Sequence, residues 1–318
     1  MQLLTPKSEL WFQPSEWMEQ VQRAAIVCYG RDESKNPAWK TCERLQRDGH
    51  LSMFRHATHY YLFERRDASF VLPSRMYHAL AGSEYCSITR SRYFLDEVIK
   101  ARARENAGQR KDPDGLLGTY FVVLNHQYVL EHDDVAQVLG KHECSLSEYV
   151  LAAKSLSCYP ALDAIRFTLC SVTQISTSRE MNRVSPNAIA EQSTRFVNFE
   201  KRGGITICRP HWYGSSSFLV RVMARLCWRS QQWFYNFFLR HGLPPQDART
   251  ALGLDTATRV VYTYSIREWR HILDLRLAGK TGKPHPNAVE LSQLILFELQ
   301  RAARVAIGED YEIYNFND

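Results

Sequence analysis

The segment 178–199 carries the densest group of polar side chains in the sequence. Its charged, amide and hydroxyl residues include Arg179, Arg183, Glu191, Gln192, Ser193, Thr194 and Arg195. An arginine guanidinium binds phosphate or carboxylate through paired N–H bonds and keeps its charge at any working pH. An adjacent Ser-Thr-Arg can hold a phosphate by hydroxyl, main-chain N–H and guanidinium together. The segment therefore indicates an anion site, with a solvated helix and loop carrying ordinary surface charges as the alternative.

A second polar cluster lies in REWRHILDLRL, residues 267–277. Helical spacing of three and four places Arg267, His271 and Asp274 on one face. The apolar residues that would face the core are Trp269, Ile272, Leu273 and Leu277. Asp274 is near enough in sequence to pair with Arg270, so a structural ion pair is the alternative interpretation.

A third cluster, in GHLSMFRHATHYYLF at 49–63, contains His50, Ser52, His56 and His59. This spacing is not that of a standard zinc site, and the eight cysteines of the chain include no CxxC pair. We therefore expect no metal. A histidine beside a strand is more often a hydrogen-bonded structural residue than a ligand or a base.

The elements that must position these clusters follow from periodicity and from end signals. Helices are predicted from Ser15 to Gly30, over 38–47, from Ser178, from Ser215 or Ser216 to His241, and over 287–307. Strands are predicted over 57–63, 119–124, 165–175, 205–209 and 260–265. Helices and strands in mixed order, without a strict βαβ rhythm, favour an α+β (mixed α/β) fold.

Length and composition exclude several classes of protein. The chain has 318 residues, 45% of them hydrophobic and 23% charged, which is typical of a globular protein with a substantial core. No apolar run is long enough to span a bilayer and no secretory signal is present, which favours a cytoplasmic location. The net charge of +6 is compatible with a phosphorylated substrate or with nucleic acid. The sequence contains neither the GxGxxG motif of dinucleotide-binding folds nor the GxxxxGK[ST] motif of triphosphate-binding loops.

The three clusters, in this order, resemble the motifs of flavin-dependent thymidylate synthases (ThyX). AAIVCY and GHLSMFRHATHYYLF are similar to the family's AA-x-x-CY and GHxSxxEH-A-x-F-x-F segments. The middle segment is similar to the family's signature, in which an Arg-His-Arg triplet is followed, after seven further residues, by the serine of STRY. WRHILDLRLAGKTGKPHPNAVEL at 269–291 is similar to W-x-x-F-x-x-LR-x-x-G-x-TGxPHP-x-x-x-EL of the longer members. The resemblance implies a ThyX-like fold, a mostly antiparallel sheet flanked by long helices, in a single domain over 1–318.

Two departures from the family pattern bear on the chemistry. Val184 and Ser185 stand in the last two positions of the Arg-His-Arg triplet, and Arg55 replaces the carboxylate of the Glu-His pair. These changes affect residues that contact flavin in the family, so they bear on flavin binding, substrate choice and turnover. The region 64–160, with a charged loop at 101–118, is interpreted as an insertion of the longer type.

The resemblance implies reductive methylation of dUMP at uracil C5. FAD is the cofactor, and methylenetetrahydrofolate and NADPH are the co-substrates. A cysteine-dependent mechanism would need an activated thiolate, and no cysteine here lies in a nucleophile motif. Cationic side chains that stabilise developing negative charge on the pyrimidine are the natural substitute. The alternatives are methylation or hydroxymethylation of another nucleotide, such as UMP or dCMP, and a non-catalytic nucleotide-binding or nucleic-acid-binding protein.

The resemblance also assigns roles to individual residues. The substrate side is Glu191, Gln192, Ser193, Thr194, Arg195, Arg249 and Arg276, among which Ser193, Arg195 and Arg276 are the catalytic candidates. The flavin side is His56, Thr58, Arg183, Arg267 and His271. We expect Arg183, Arg195, Arg249 and Arg276 to converge around the nucleotide, in a homotetramer whose active sites combine several subunits. No membrane or nucleic-acid partner is expected.

Overall fold

A computed structural model of the chain describes residues 1–30, 35–66, 74–96, 98, 117–184 and 188–316. The strands are β1 Gln2–Leu4, β2 Lys7–Trp11, β3 Thr58–Arg65, β4 Cys86–Ser91, β5 Gly118–Asn125, β6 Glu143–Cys144, β7 Arg166–Gln174, β8 Ile189–Glu191, β9 Thr206–Cys208 and β10 Ala257–Ser265. The α-helices are α1 Trp17–Tyr29, α2 Ala38–Arg47, α3 Ser74–Ala81, α4 His126–Glu131, α5 Asp133–Leu139, α6 Leu146–Ser155, α7 Tyr159–Leu162, α8 Ile175–Asn182, α9 Phe218–Arg240, α10 Pro245–Ala248, α11 Ile266–Leu273 and α12 Pro286–Ala306. Short 3-10 turns are Leu51–His56, Gly140–His142, Glu200–Arg202, His211–Tyr213 and Arg249–Ala251, and Asp274–Ala278 is a π-helical turn.

Two antiparallel sheets of four strands organise the described chain. Their strand orders are β2-β7-β10-β8 and β4-β5-β3-β6, and β1 and β9 form a separate parallel pair. This architecture confirms the predicted α+β class and the mostly antiparallel sheet. The two central strands of the first sheet pair along their whole length, from Ala257 opposite Gln174 to Ser265 opposite Arg166.

The first sheet is covered on both faces. Alternate residues of β10 enter different clusters, since side chains of a strand point to opposite sides. Val260 and Tyr262 pack in the main core with Trp269 and with α12, while Val261 packs with Val21 of α1. The sheet is therefore a rigid platform, and side chains at its strand ends are held in fixed positions.

The second sheet takes three of its four strands from the region predicted as an insertion. β3 pairs with β5 over eight residues, from Thr58 opposite Asn125 to Arg65 opposite Gly118, and β4 and β6 complete the sheet. Most of the charged loop predicted at 101–118 lies outside the described residues. Because β3 bonds to both β5 and β6, residues 64–160 contribute to the positions of the β3 side chains.

Most predicted elements are confirmed within a few residues. α2 has the predicted bounds, and Gly30 ends α1 with a φ of +66°, a left-handed conformation that glycine adopts without a Cβ clash. The helix predicted to begin at Ser178 begins instead at Ile175. Its first turn follows directly from β7, because the Gln174 side chain accepts a bond from the Thr177 hydroxyl at 2.8 Å.

Helix α9 begins at Phe218, two or three residues after the predicted start, and the Ser217 hydroxyl caps it by accepting from Val220 N at 3.4 Å. It ends as predicted before Gly242, whose φ is +89°. Only Trp228 and Tyr235 of this helix are buried. Among the helices that the structure describes, none has the length and apolar character that crossing a membrane requires.

Candidate functional site

One cavity joins residues from separate predicted segments. It has a volume of about 590 Å³ and lies between α8, the turn that follows β8, and residues 246–254. Its polar lining includes Arg179, Thr194 and Arg249, and we call it the arginine cavity. Arg249 Nη1 donates to Thr194 Oγ1 at 3.4 Å. Two guanidinium groups beside a hydroxyl can bind a phosphate dianion by charge and by directed N–H bonds.

The turn 193–196 is fixed by main-chain bonds at both sides. Ser193 N donates to the Cys28 carbonyl at 2.9 Å, and the preceding Gln192 N donates to the Arg259 carbonyl at 2.8 Å. Ser193 Oγ accepts from Arg195 N at 3.1 Å and caps the turn. This geometry turns Thr194 toward the arginine cavity and uses the Ser193 hydroxyl locally.

Arg195 lies outside this cavity lining in the single chain. Its side chain is exposed and its guanidinium lies over the Phe196 ring, 5.4 Å from the centroid. Phe196 is also exposed. An exposed cation stacked on an aromatic ring contributes little to the fold, so Arg195 is available to a ligand or to another copy of the chain.

Glu191 holds α8 against the first sheet. Its carboxylate accepts from Ser178 Oγ at 2.6 Å, from Thr258 Oγ1 at 3.0 Å and from Asn182 Nδ2 at 3.2 Å. These bonds join the middle and the C-terminal end of α8 to β8 and β10. Such a carboxylate acts as a structural anchor, and its placement beside the substrate stays a prediction.

Arg276 and Arg183 both lie at the C-terminal part of α8. Arg276 is 18% exposed, its Nη1 lies 3.7 Å from Glu180 Oε1, and its Nη2 donates to the Glu180 carbonyl at 2.8 Å. A cation is favourable at these last, unpaired helix carbonyls. Arg183 follows the helix and is exposed, Val184 packs against the main core, and Ser185 lies outside the described residues.

The predicted convergence of arginines is therefore partial within one chain. Of Arg183, Arg195, Arg249 and Arg276, only Arg249 lines the arginine cavity. Arg179, singled out in the sequence but not among those four, lines it too. Convergence of the remaining three stays a prediction for the assembled protein.

The candidate flavin residues His56 and Thr58 lie around a half-buried arginine, Arg166, which sequence reasoning missed. Its Nη1 donates to Thr58 Oγ1 at 3.4 Å, and its Nη2 donates to the carbonyls of Thr263 at 2.9 Å and Arg55 at 3.1 Å. Arg166 lines two cavities, one of about 420 Å³ that includes Thr58 and one of about 180 Å³ that includes Arg267. The signal in the sequence that could have identified Arg166 is its position as a cation at the start of the apolar run RFTLC.

His56 is fully buried beside this arginine. Its Nδ1 lies 2.9 Å from Thr263 Oγ1, while its Nε2 is buried without a hydrogen-bond partner in the part of the chain that the structure describes. Burial lowers the pKa of His56 to about 3, and the charges of Arg166 and Arg55 add to this effect. His56 is therefore neutral at physiological pH.

On α11 the predicted polar and apolar faces are confirmed, but the alternative prediction of an ion pair between Arg270 and Asp274 is wrong. Arg267 and His271 are exposed, one turn apart. Arg270 Nη1 pairs with Asp163 at 2.7 Å, whereas Asp274 pairs with Lys280 at 3.0 Å. The fold brings Asp163, the residue that follows α7, to Arg270, a contact that local spacing cannot indicate.

A second missed group links β3 to residues of the region 64–160. His59 Nδ1 lies 2.7 Å from Glu143 Oε1, and His59 Nε2 lies 2.8 Å from His126 Nδ1. The family motif has Phe where His59 stands, and that departure was the signal in the sequence. Among the residues that the structure describes, no group of three or more His, Cys, Asp or Glu could hold a metal ion.

Comparison with known proteins gives one match in sequence and several in structure. The sequence profile described as thymidylate synthase complementing protein matches residues 99–303. A solved UMP/dUMP methylase, PolB from Streptomyces cacaoi bound with 5-Br UMP, is 16% identical with a TM-score of 0.39, over 70% of this chain and 95% of that one. The same protein bound with 5-Br dUMP is 15% identical with a TM-score of 0.39, over 70% and 96%. A search of curated protein sequences gives no match.

Proposed function

The chain belongs to the thymidylate synthase complementing protein family, and from this membership we propose that it is a flavin-dependent thymidylate synthase. The proposed reaction is reductive methylation of dUMP at uracil C5 to give dTMP, with methylenetetrahydrofolate and NADPH as co-substrates. The family description supports methyl transfer in nucleotide metabolism as the broader class.

The observation that carries the proposal is the arginine cavity. Arg179 and Arg249 come from segments 70 residues apart and both line a space of about 590 Å³, which Thr194 and Asp247 also line, within the range of small-molecule sites. The nucleotide phosphate would bind there, because a dianion compensates the charge of guanidinium groups that line one cavity. Ser193 and Arg195, on the same turn, are proposed to contact the nucleotide, with Glu191 and Gln192 beside its base or ribose.

Flavin would supply the redox chemistry, and the protein would supply its position and electrostatics. Three of the candidate residues fit such a group. His56 Nε2 is buried without a partner among the described residues, and Thr58 and Arg267 line cavities on either side of Arg166. Arg183 and His271 are exposed and would reach the cofactor from a neighbouring copy or at the rim of the site.

A homotetramer is proposed because α9 has an apolar surface that is exposed in the described part of the chain. Phe218 is 77% exposed and Trp233 is 59% exposed. Large exposed apolar patches mark association surfaces. Packing of α9 against other copies would bury this surface and could bring exposed arginines such as Arg195 to a neighbour's site.

The second candidate keeps the scaffold and changes the nucleotide to UMP or dCMP. It is supported by Val184, which packs its apolar side chain on the main core where the family signature has an imidazole. A site with altered flavin contacts could accept a different pyrimidine. The third candidate, a non-catalytic binding protein, is supported by no separate contact among the residues that the structure describes.

The experiment is a product assay on the purified full-length protein with reduced flavin, folate and NADPH. Tritium release from C5-labelled dUMP, UMP and dCMP identifies the base, and a flavin absorbance band on the purified protein reports the cofactor. We expect a yellow protein that releases tritium from dUMP. Release from UMP or dCMP alone would favour the second candidate, and a colourless protein without release would reject both enzymes.

A further inference from the structure

Residues 307–316, which follow α12, are bonded to α11 and to the π-helical turn after it, and we call them the C-terminal strap. Ile313 of the strap is fully buried in the main core. Gln300 of α12 holds the main chain of the strap at two points: its Nε2 donates to the Tyr311 carbonyl at 2.8 Å, and its Oε1 accepts from Ile313 N at 3.0 Å. These bonds fix the path of a segment that has no helix or strand pairing of its own.

The first attachment of the strap is to Arg270 of α11. Arg270 Nε donates to the Ile313 carbonyl at 2.7 Å, and its Nη1 donates to Asp163 Oδ1 at 2.7 Å. The Tyr311 hydroxyl donates to the same Asp163 oxygen at 2.6 Å. This attachment joins the strap to α11 and to the residue that follows α7.

The second attachment is to the π-helical turn Asp274–Ala278. The Tyr314 hydroxyl donates to Asp274 Oδ1 at 2.7 Å, and Lys280 Nζ pairs with the same oxygen at 3.0 Å. Asp274 is the first residue of the turn, and Lys280 follows Gly279, which ends the turn with a φ of +71°. The Asp274 carboxylate therefore ties the strap to both ends of the turn.

The protonation states of this second attachment suit a strong hydrogen bond. Burial raises the pKa of Tyr314 to about 12, and its bond to Asp274 adds to the effect, so the hydroxyl keeps its proton. Although burial opposes it, the bonds from Tyr314 and Lys280 lower the pKa of the Asp274 carboxyl. A neutral hydroxyl that donates to an ionised carboxylate makes a shorter and stronger bond than two neutral groups do.

Arg276 lies in the middle of the turn that this attachment holds. The far end of its side chain is fixed by α8, since Nη2 donates to the Glu180 carbonyl at 2.8 Å. Its Nε is buried without a hydrogen-bond partner in the part of the chain that the structure describes. The direction of the guanidinium therefore depends on the main chain of the turn as well as on α8. Single π-helical turns are rare and are frequent at functional sites.

We propose that Tyr314 is a positioning residue, which fixes the π-helical turn through Asp274 and so directs Arg276 toward the nucleotide. The inference rests on the proposed function where it assigns Arg276 to the substrate. A loosened turn weakens binding, because Arg276 must then be ordered when the nucleotide binds. A strap that only stabilises the fold would lower the melting temperature without acting through Arg276.

The first test is a double-mutant cycle on dUMP affinity, measured by calorimetry with the full-length protein. Tyr314→Phe removes the hydroxyl and keeps the ring, and it should weaken dUMP about 3- to 10-fold. In the Arg276→Ala protein the same change should alter the affinity by less than about twofold, because its effect passes through Arg276. Tyr311→Phe is the matched control: it removes a hydroxyl of the same strap that bonds to Asp163 and not to the turn. It should lower the melting temperature and leave dUMP affinity unchanged.

The second test needs no ligand. In protein labelled with ¹⁵N-arginine, the buried Arg276 Nε–H should exchange slowly with solvent, and Arg276→Ala identifies its resonance by removing it. Tyr314→Phe should raise this exchange rate about threefold or more, whereas Tyr311→Phe should not.

An unchanged Nε–H exchange rate in folded Tyr314→Phe would overturn the proposal, as would an equal loss of dUMP affinity with and without Arg276 or an equal loss in Tyr311→Phe. A parent protein that binds neither dUMP, UMP nor dCMP would reject the proposed function. The exchange rate would still decide whether Tyr314 holds Arg276.

Discussion

Replacing Arg249 tests the arginine cavity directly. Its guanidinium is exposed, lines the cavity and donates to the Thr194 hydroxyl at 3.4 Å. A hydrogen bond to a charged group contributes about 1.5–3 kcal/mol, and about 1.4 kcal/mol corresponds to tenfold in affinity. Because solvent screens an exposed cation, the lower part of that range applies. Arg249→Ala should therefore weaken dUMP about 10- to 30-fold.

The assay is isothermal titration of the folded variant with dUMP and with deoxyuridine, which lacks the phosphate. Deoxyuridine should bind the variant and the parent protein equally, because the lost contact is to the phosphate. Arg47→Ala is a matched control, since Arg47 is 72% exposed and pairs only with neighbouring Asp48 among its described contacts. Equal weakening of dUMP and deoxyuridine, or no change for dUMP, would refute the phosphate assignment.

Four further outcomes are expected. Arg195→Ala should abolish dUMP binding with the melting temperature unchanged, because this side chain is exposed; unchanged calorimetric affinity would contradict its role. The pKa of His56 is about 3 in the folded protein and about 6.5 in the unfolded chain. The free energy of unfolding should therefore fall by about 1.4 kcal/mol per pH unit between pH 6.5 and pH 3. Urea unfolding of His56→Asn should lack this pH dependence. Glu191→Gln should cost about 1–3 kcal/mol in urea unfolding, because it weakens a carboxylate with three donors. Phe218→Asp with Trp233→Ser should reduce the mass measured by light scattering to that of a smaller assembly, and an unchanged mass would remove α9 from the interface.

Hydrophobic periodicity and end signals were enough to predict most of the long helices and strands, because these signals come from residues that are close together in the sequence. The bounds of α2, the αL glycine after α1 and the end of α9 each depend on a few consecutive residues. The short strands β1, β2, β4, β6 and β8 were missed, since they have little alternation of their own and are stabilised by pairing with β9, β7, β5, β3 and β10. Pairing partners that are distant in sequence leave no local pattern.

Residues of the candidate site could be predicted only where they belong to a sequence motif of the family. Thr194 and Arg249 were named from motifs, and the structure brings them together. Arg166 and the group of His59, Glu143 and His126 were not named, because each depends on contacts that the register of the sheets creates. His59 contacts Glu143 and His126 across 84 and 67 residues, and only the pairing of β3 with its two neighbours brings them within bonding distance.

Helix α8 connects candidate residues that are separate in sequence. Arg179 projects into the arginine cavity, Glu180 binds Arg276, and Ser178 bonds to Glu191. A shift of this eight-residue helix would therefore move the cavity wall and the Arg276 contact together. Residues that share one anchored element are coupled, so changes at Glu191 and in the cavity should not be additive. Because α8 carries Arg179 into the cavity and also contacts Arg276 through Glu180, we expect a substitution that shifts this helix to alter both arginines.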